Sequence, residues 1–266
     1  MMNPILQHDM EQKTDVAIER IRSCAPKDKP YRLAFSGGKD SQVCYRLCEL
    51  AGVSFTANLR ITTVDPPELI RFVHDHYPLT RFSRAPAGMF DLIAKPEHKH
   101  LFPPLRQMRW CCEELKENTP PNERIITGIR WQESARRSKR SWFEAVKRKD
   151  AASWFINCII DWTTDDVWNF HRWQGLPHCS IYDEGRARLG CVMCPQQGMV
   201  GMRRDAERWP KLAARYKCAI CEAYEERKRQ GKPHSWASGE EMYEWWIGNA
   251  GATTELPDCK LPLYDN

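Results

Sequence analysis

The chain has 266 residues, 42% of them hydrophobic, enough for one large core or one core with a small appended layer. Its formal net charge of +5 permits contact with a polyanion without demanding it. No uncharged apolar run approaches the roughly 20 residues of a membrane span, and the N-terminus lacks the basic-then-apolar pattern of an export signal. A soluble, cytoplasmic chain that makes no membrane contact is expected.

Residues 9–24 space Val16, Ile18, Ile21 and Cys24 near the helical period, which predicts an amphipathic lead-in helix ended by Pro26 and Pro30. Residues 31–35 read as a buried strand. A turn through residues 36–41 then leads into a helix with Val43, Cys44, Leu47 and Leu50 inward. A second strand is expected over 54–64, a helix over 68–76 after Pro66 and Pro67, and a third strand over 80–84. The apolar runs 123–129 (ERIITGI) and 154–160 (WFINCII) supply two more strands. Thr163, followed by Asp165 and Asp166, caps a helix that runs to Trp173. The spacing then predicts one long charged helix over 205–230 and a last helix over 239–247. Strands alternating with helices argue for an α/β fold with a doubly wound, mainly parallel sheet and a helical C-terminal third.

Between the first strand and its helix stands Ser36-Gly37-Gly38-Lys39-Asp40-Ser41. Backbone N–H groups at such a junction cradle phosphate with help from the helix dipole, and Lys39 adds a positive charge. It is not a Walker loop, because only Ser36 stands ahead of the glycine pair. S-G-G-K-D-S resembles the PP-loop of the ATP pyrophosphatase superfamily, which includes sulfonucleotide reductases, tRNA thiolases and the pyrophosphatases of DNA phosphorothioation. The resemblance implies an adenine nucleotide α-hydrolase-like fold. It also implies ATP cleavage between the α and β phosphates with magnesium, and Ser36, Gly37, Gly38, Lys39, Asp40 and Ser41 as loop residues.

A second segment, Gly128-Ile129-Arg130-Trp131-Gln132-Glu133-Ser134-Ala135-Arg136-Arg137, follows a predicted strand and carries the family-like pattern G-x-R-x-x-E-S-x-x-R. It puts charge at the carboxyl edge of the sheet, where open α/β folds bind ligands. Arg130 and Arg137 are candidates for phosphate or sulfate contacts because a guanidinium forks two hydrogen bonds to an oxyanion. Glu133 orients an arginine or contacts the ribose. The chemistry is expected of Lys39, Asp40 and Arg130, with Gly128 shaping the loop. Downstream, Trp142 and Phe143 interleave with Lys147, Arg148 and Lys149, a mixture suited to single-stranded nucleic acid.

Six of the twelve cysteines cluster as Cys111-Cys112, Cys191-x-x-Cys194 and Cys218-x-x-Cys221, which is ligand spacing rather than a disulfide framework. Two pairs of thiolates suit zinc or a [4Fe–4S] cluster alike. The arrangement Cys111, Cys112, Cys191, Cys194 resembles that of iron–sulfur adenylyl-sulfate reductases and phosphorothioation pyrophosphatases, which implies that these four ligate one [4Fe–4S] cluster. The motifs Ile160-Asp161-Trp162 and Tyr182-Asp183-Glu184-Gly185 extend the likeness over residues 31–195. Cys218 and Cys221 lie three apart in a helical pattern and are expected on one buried face, whereas Cys24, Cys44, Cys48 and Cys158 are expected in the core.

The sequence thus divides into an N-terminal helix (1–30), a PP-loop nucleotide-binding domain (31–175) and a helical iron–sulfur and C-terminal region (176–266) packed on the same core. The family reductases carry a nucleophilic cysteine in a C-terminal Glu-Cys-Gly-x-His. Here the tail cysteine is Cys259, in Asp258-Cys259-Lys260, without that glycine or histidine. The favoured expectation is therefore an ATP pyrophosphatase that adenylates an acceptor, nucleic acid first among the candidates, for sulfur insertion. A cysteine desulfurase would be its sulfur donor, and an oligomer is compatible with the sequence. The alternatives are a sulfonucleotide reductase and a redox-sensing nucleotide-binding subunit.

Overall fold

Tyr31 and Leu33 are fully buried and alternate with more open neighbours, the pleat of a strand with one packed face. They belong to Tyr31–Ala34 (β1), which is followed in the sheet by Phe55–Ile61 (β2), Arg81–Arg84 (β3), Arg124–Ile126 (β4), Phe143–Arg148 (β5) and Ala151–Ile156 (β6). The order across the sheet is β3-β2-β1-β4-β6-β5. β1 pairs in parallel with both β2 and β4, β4 pairs in parallel with β6, and β5 closes the far edge as an antiparallel hairpin partner of β6. The chain runs from β1 through β2 to β3 at one edge and then returns to the other side of β1 as β4, so the switch point of this doubly wound sheet lies between β1 and β4. The expected α/β class holds.

The computed structural model describes residues 3–98, 100–117, 120–148, 151–232 and 235–251. These form two compact units: Met1–Arg60, Pro67–Ser83 and Thr119–Leu189 in the first, and Ile61–Pro66, Arg84–Asn118 and Gly190–Asn266 in the second. Cys259 lies outside the described residues.

In the first unit the helices are Pro4–Ser23 (α1), Lys39–Ala51 (α2), Pro67–His76 (α3) and, later in the chain, Thr164–Gln174 (α6). α2 turns Val43, Cys44, Leu47 and Cys48 into the core, where Cys44 meets Cys158 with 3.7 Å between sulfurs. Thr163 caps α6 as expected, accepting from the Asp166 N–H at 3.1 Å while Asp166 reaches back to the Thr163 N–H at 2.7 Å. α1 buries Met10, Ala17 and Ile21 and leaves Val16 exposed, so its inner stripe is rotated from the one its sequence suggested.

The second unit carries Met89–Ala94 (α4), Trp110–Leu115 (α5), Gly198–Arg208 (α7), Pro210–Arg229 (α8) and Gly239–Asn249 (α9). Two expectations are corrected here. The single helix expected over 205–230 is two helices, broken at Trp209 because Pro210 has no N–H to continue α7 and instead opens α8. Cys218 and Cys221 do not share a buried face: Cys218 is exposed and Cys221 half-buried, while Ala219, Ile220, Ala223 and Tyr224 take the inward positions of α8. α9 packs through Met242, Tyr243, Trp246 and Ile247, and Trp246 Nε1 donates to the Pro104 carbonyl at 2.7 Å. No described helix is long and apolar enough to cross a membrane.

Candidate functional site

The loop between β1 and α2 is held chiefly by backbone. Gly37 sits at φ +69°, and a Cβ there would lie 2.5 Å from Val73 Cγ2 and 2.7 Å from Leu69 Cδ1, so only glycine lets α3 pack this close. Its carbonyl accepts from Gln42 Nε2 at 2.8 Å, and Tyr77 Oη donates to Gln42 Oε1 at 3.1 Å. Ser36 N–H donates to Ser41 Oγ at 3.2 Å, and Ser41 Oγ donates to the Gly38 carbonyl at 2.8 Å. Gly38 is the N-cap of α2 and brings no side chain, so no cap group from that position covers the first-turn N–H groups. On the neighbouring strand's exit, a Cβ on Gly128 would stand 3.0 Å from the backbone and the Cβ of Asp40.

Beside this loop lies a cavity of about 320 Å³. Of the residues expected in the site, Ser36, Gly38, Lys39, Asp40 and Ser41 line it, as do Gly128, Glu133 and Arg137 from the second segment. Gly37 and Arg130 do not. Arg130 is only 3% exposed and turns inward, its Nε donating to Asp40 Oδ1 at 2.7 Å and its Nη1 to the Trp162 carbonyl at 3.2 Å. Asp40 Oδ2 accepts from Lys39 Nζ at 3.0 Å, so a buried Lys39–Asp40–Arg130 chain fixes both loop side chains. Glu133 accepts from the Arg130 N–H at 3.0 Å and pairs with Arg137 and, at 3.6 Å, Arg188. Arg188 and Tyr182 also line the cavity, and sequence reasoning gave neither a role there.

The backbone of Lys39 is held at both its N–H and its carbonyl. Its N–H donates to Tyr182 Oη at 3.0 Å, and its carbonyl pairs with His171 Nε2 at 2.9 Å. A carbonyl only accepts, so Nε2 carries the proton and Nδ1 is left buried with no partner. Burial pulls the His171 pKa below its ordinary value, against the raising effect of the Lys39 carbonyl. Burial likewise raises the Tyr182 phenol, against the lowering effect of the Lys39 N–H, and keeps it protonated.

In the second unit Cys111 and Cys112 open α5, and Cys191 and Cys194 flank a turn pinned by Met193 at φ +55°, a left-handed conformation uncommon for a side chain of that size. Met193 N–H donates to the buried Asp205 Oδ2 at 2.7 Å, and Val192 N–H donates to the Val64 carbonyl at 2.8 Å. The four thiols are free and form one electrostatic neighbourhood: the Cys111 pKa is raised first by its hydrogen bond to Cys112, then by burial and the charges of Cys112, Cys194 and Cys191. The same hydrogen bond, with Arg109 Nη2 at 3.3 Å, draws Cys112 down to about 5 against its burial. The charges of Cys191, Asp65 and Cys112 hold the Lys116 ammonium charged beside Cys191. Four free thiols attended by two cations suit the donor set of a negatively charged thiolate centre. Among the described residues, no three Cys, His, Asp or Glu side chains stand at single-ion spacing.

The profile of the phosphoadenosine phosphosulfate reductase domain matches residues 30–197, more than half of the chain. The chain belongs to that family. Relatives of this reductase-like PP-loop family include the adenosine 5'-phosphosulfate reductase of Allochromatium vinosum, 26% identical over 58% of this chain and 62% of that one. The enzyme of the same name from Neisseria meningitidis serogroup A is 24% identical over 75% of this chain and 86% of its own length. An uncharacterized protein of Methanocaldococcus jannaschii is 28% identical over 77% of this chain. The chain spans only 44% of that archaeal protein. Among solved structures, the FMN adenylyltransferase of Candida glabrata in complex with FAD and inorganic pyrophosphate superposes with a TM-score of 0.50 at 13% identity, over 71% of this chain and 64% of that one, a likeness of fold.

Proposed function

We propose that this family member is a PP-loop enzyme that cleaves ATP between its α and β phosphates and adenylates an acceptor oxygen for sulfur insertion. The observation that carries the proposal is the loop itself: a glycine N-cap at the start of α2, with two serine hydroxyls, the 3%-exposed Lys39, Arg137 and Arg188 all lining one cavity. Such a set of donors suits a polyphosphate, whose charge is spread over several oxygens. The acceptor oxygen attacks the α phosphorus, the bond to the bridging oxygen breaks, and pyrophosphate leaves on the loop. Lys39 neutralises charge on the departing group, Asp40 would offer its carboxylate to magnesium, and Arg130 holds Asp40 in place through its Nε. Magnesium supplies charge neutralisation on the phosphates when bound.

Cys111, Cys112, Cys191 and Cys194 would hold a [4Fe–4S] cluster, whose four iron positions they would fill, leaving it a role in shaping and charging its surroundings. Arg109 and Lys116 offset its negative charge. Nucleic acid is supported as acceptor by the exposed Trp131, Trp142 and Phe143 in the same stretch as the exposed Arg136 and Lys139, where bases stack and phosphates pair. Lys147 and Arg148 end β5 with side chains outside what is described, and Lys149 lies outside the described residues.

The names of the relatives favour a second reading, a sulfonucleotide reductase using Cys259. One experiment separates the two. Iron-loaded protein is given ATP with a single-stranded oligonucleotide, or adenylyl sulfate with thioredoxin. Pyrophosphate release that falls about a hundredfold in Lys39→Ala and Asp40→Ala, with folding retained, is expected. Reduction of adenylyl sulfate that stops in Cys259→Ser would establish the reductase instead.

A further inference from the structure

Tyr182 touches Lys39 twice: its hydroxyl accepts the Lys39 N–H at 3.0 Å, and its ring lies 6.0 Å from the Lys39 ammonium. A phenol oxygen that accepts still has its own proton to give. That proton finds no acceptor among the described residues, and Tyr182 lines the cavity together with Gly38 and Lys39. The hydroxyl is 3.4 Å from where a Gly38 side chain would begin, so it stands at the mouth of the α2 N-terminus. The ring is steadied by Trp168, edge-on at 5.1 Å, and by His178. On the other side of the same residue, His171 Nε2 donates to the Lys39 carbonyl and so holds the next peptide of the α2 start.

We infer that Tyr182 is a phosphate-binding residue of the loop, relaying the helix N-terminus outward: it accepts from the Lys39 N–H and donates its own proton to a ligand phosphate oxygen. The N–H polarises the phenol, and a hydrogen bond from a polarised donor to an anion is stronger than one from an isolated hydroxyl. The relay also extends the reach of the first-turn amides by the width of one oxygen, which lets the loop grip a phosphate held away from the backbone. This inference rests on the reading of the cavity as a phosphate site, and it adds to that site a residue 143 positions away in sequence.

The test is calorimetric titration of the full chain with inorganic pyrophosphate, ATP and adenosine. Tyr182→Phe keeps the ring and its packing, and its pyrophosphate and ATP affinities should fall about tenfold, the worth of one hydrogen bond to a charged group, while adenosine binding is unchanged. Equal loss for all three ligands would mark a merely structural role and overturn the inference. A rise in pyrophosphate affinity would also overturn it, because it would mean that the hydroxyl competes with phosphate for the Lys39 N–H. 3-Fluorotyrosine at 182, a sharper donor of nearly the same size, should bind pyrophosphate more tightly than wild type, and unchanged or weaker binding there counts against the relay. Tyr182-dependent pyrophosphate binding without any ATP cleavage would sink the proposed activity and leave this inference standing.

Discussion

The phosphate loop and the cysteine centre are built on different principles. At the loop, glycine conformation and a buried chain of charges fix the donors: Gly37 at φ +69° under α3, Gly128 against Asp40, and Lys39–Asp40–Arg130 in line. At the cysteines, α5 and the turn around Met193 place thiols whose charges repel one another, with Arg109 at Cys112 and Lys116 at Cys191 beside them. The first arrangement is held by close packing, hydrogen bonds and ion pairs. The second draws four like-charging groups together, an arrangement that a shared guest stabilises.

The contrast yields an ordered set of tests. Gly37→Ala should do most damage, about 3 kcal/mol, from left-handed strain and from the collision with Val73 and Leu69. Urea unfolding would read it, and undiminished stability would mean the loop has room to give. Arg130→Ala should follow at about 2–3 kcal/mol, discounted because the Asp40 side chain is 21% exposed, and should weaken pyrophosphate binding as well. Cys191→Ser should leave pyrophosphate affinity within roughly twofold of wild type. In anaerobically purified protein it should abolish bound iron and the brown colour, and a colourless, zinc-loaded wild type would refute the cluster.

The smallest effect concerns acid. His171 is buried with an orphan Nδ1 and resists protonation, so the unfolded chain takes up a proton that the folded chain refuses. Its stabilising contribution is therefore complete above pH 6.5, the ordinary imidazole value, and declines as pH falls below it. His171→Gln should flatten the fall in stability as pH drops below 6.5, measured as the change in denaturant midpoint. An unaltered slope would mean that other groups dominate the acid limb.

Much of the first unit was legible because its signals are local. A buried alternation gave β1, Thr163 and Asp166 gave the start of α6, and two glycines at a strand–helix junction gave the loop. β5 was not foreseen: residues 143–148 mix aromatic, acidic and basic types, as an edge strand paired on one side tolerates. The break between α7 and α8 was legible in Pro210 yet was outweighed by the charged helical pattern on both sides. Arg130 lies where its motif suggested but faces Asp40 rather than the cavity, because orientation depends on Trp162 and Thr164, more than 30 residues on. The roles of Tyr182 and His171 had no local signal at all, since each acts on a peptide more than 130 residues away.

One further consequence follows from Gln42. A peptide plane beside two glycines flips easily, since neither neighbour has a Cβ to resist the rotation. If the plane between Gly37 and Gly38 turned over, its carbonyl would point where its N–H had been, and a cradle for anions would become a ligand for cations. Gln42, fully buried one turn into α2, holds that carbonyl at 2.8 Å and is itself held by Tyr77 from the end of α3. On the proposed reading of the loop as a phosphate cradle, the sign of charge it prefers is locked by an uncharged amide, and Gln42→Leu would release the latch without touching any residue that faces the cavity.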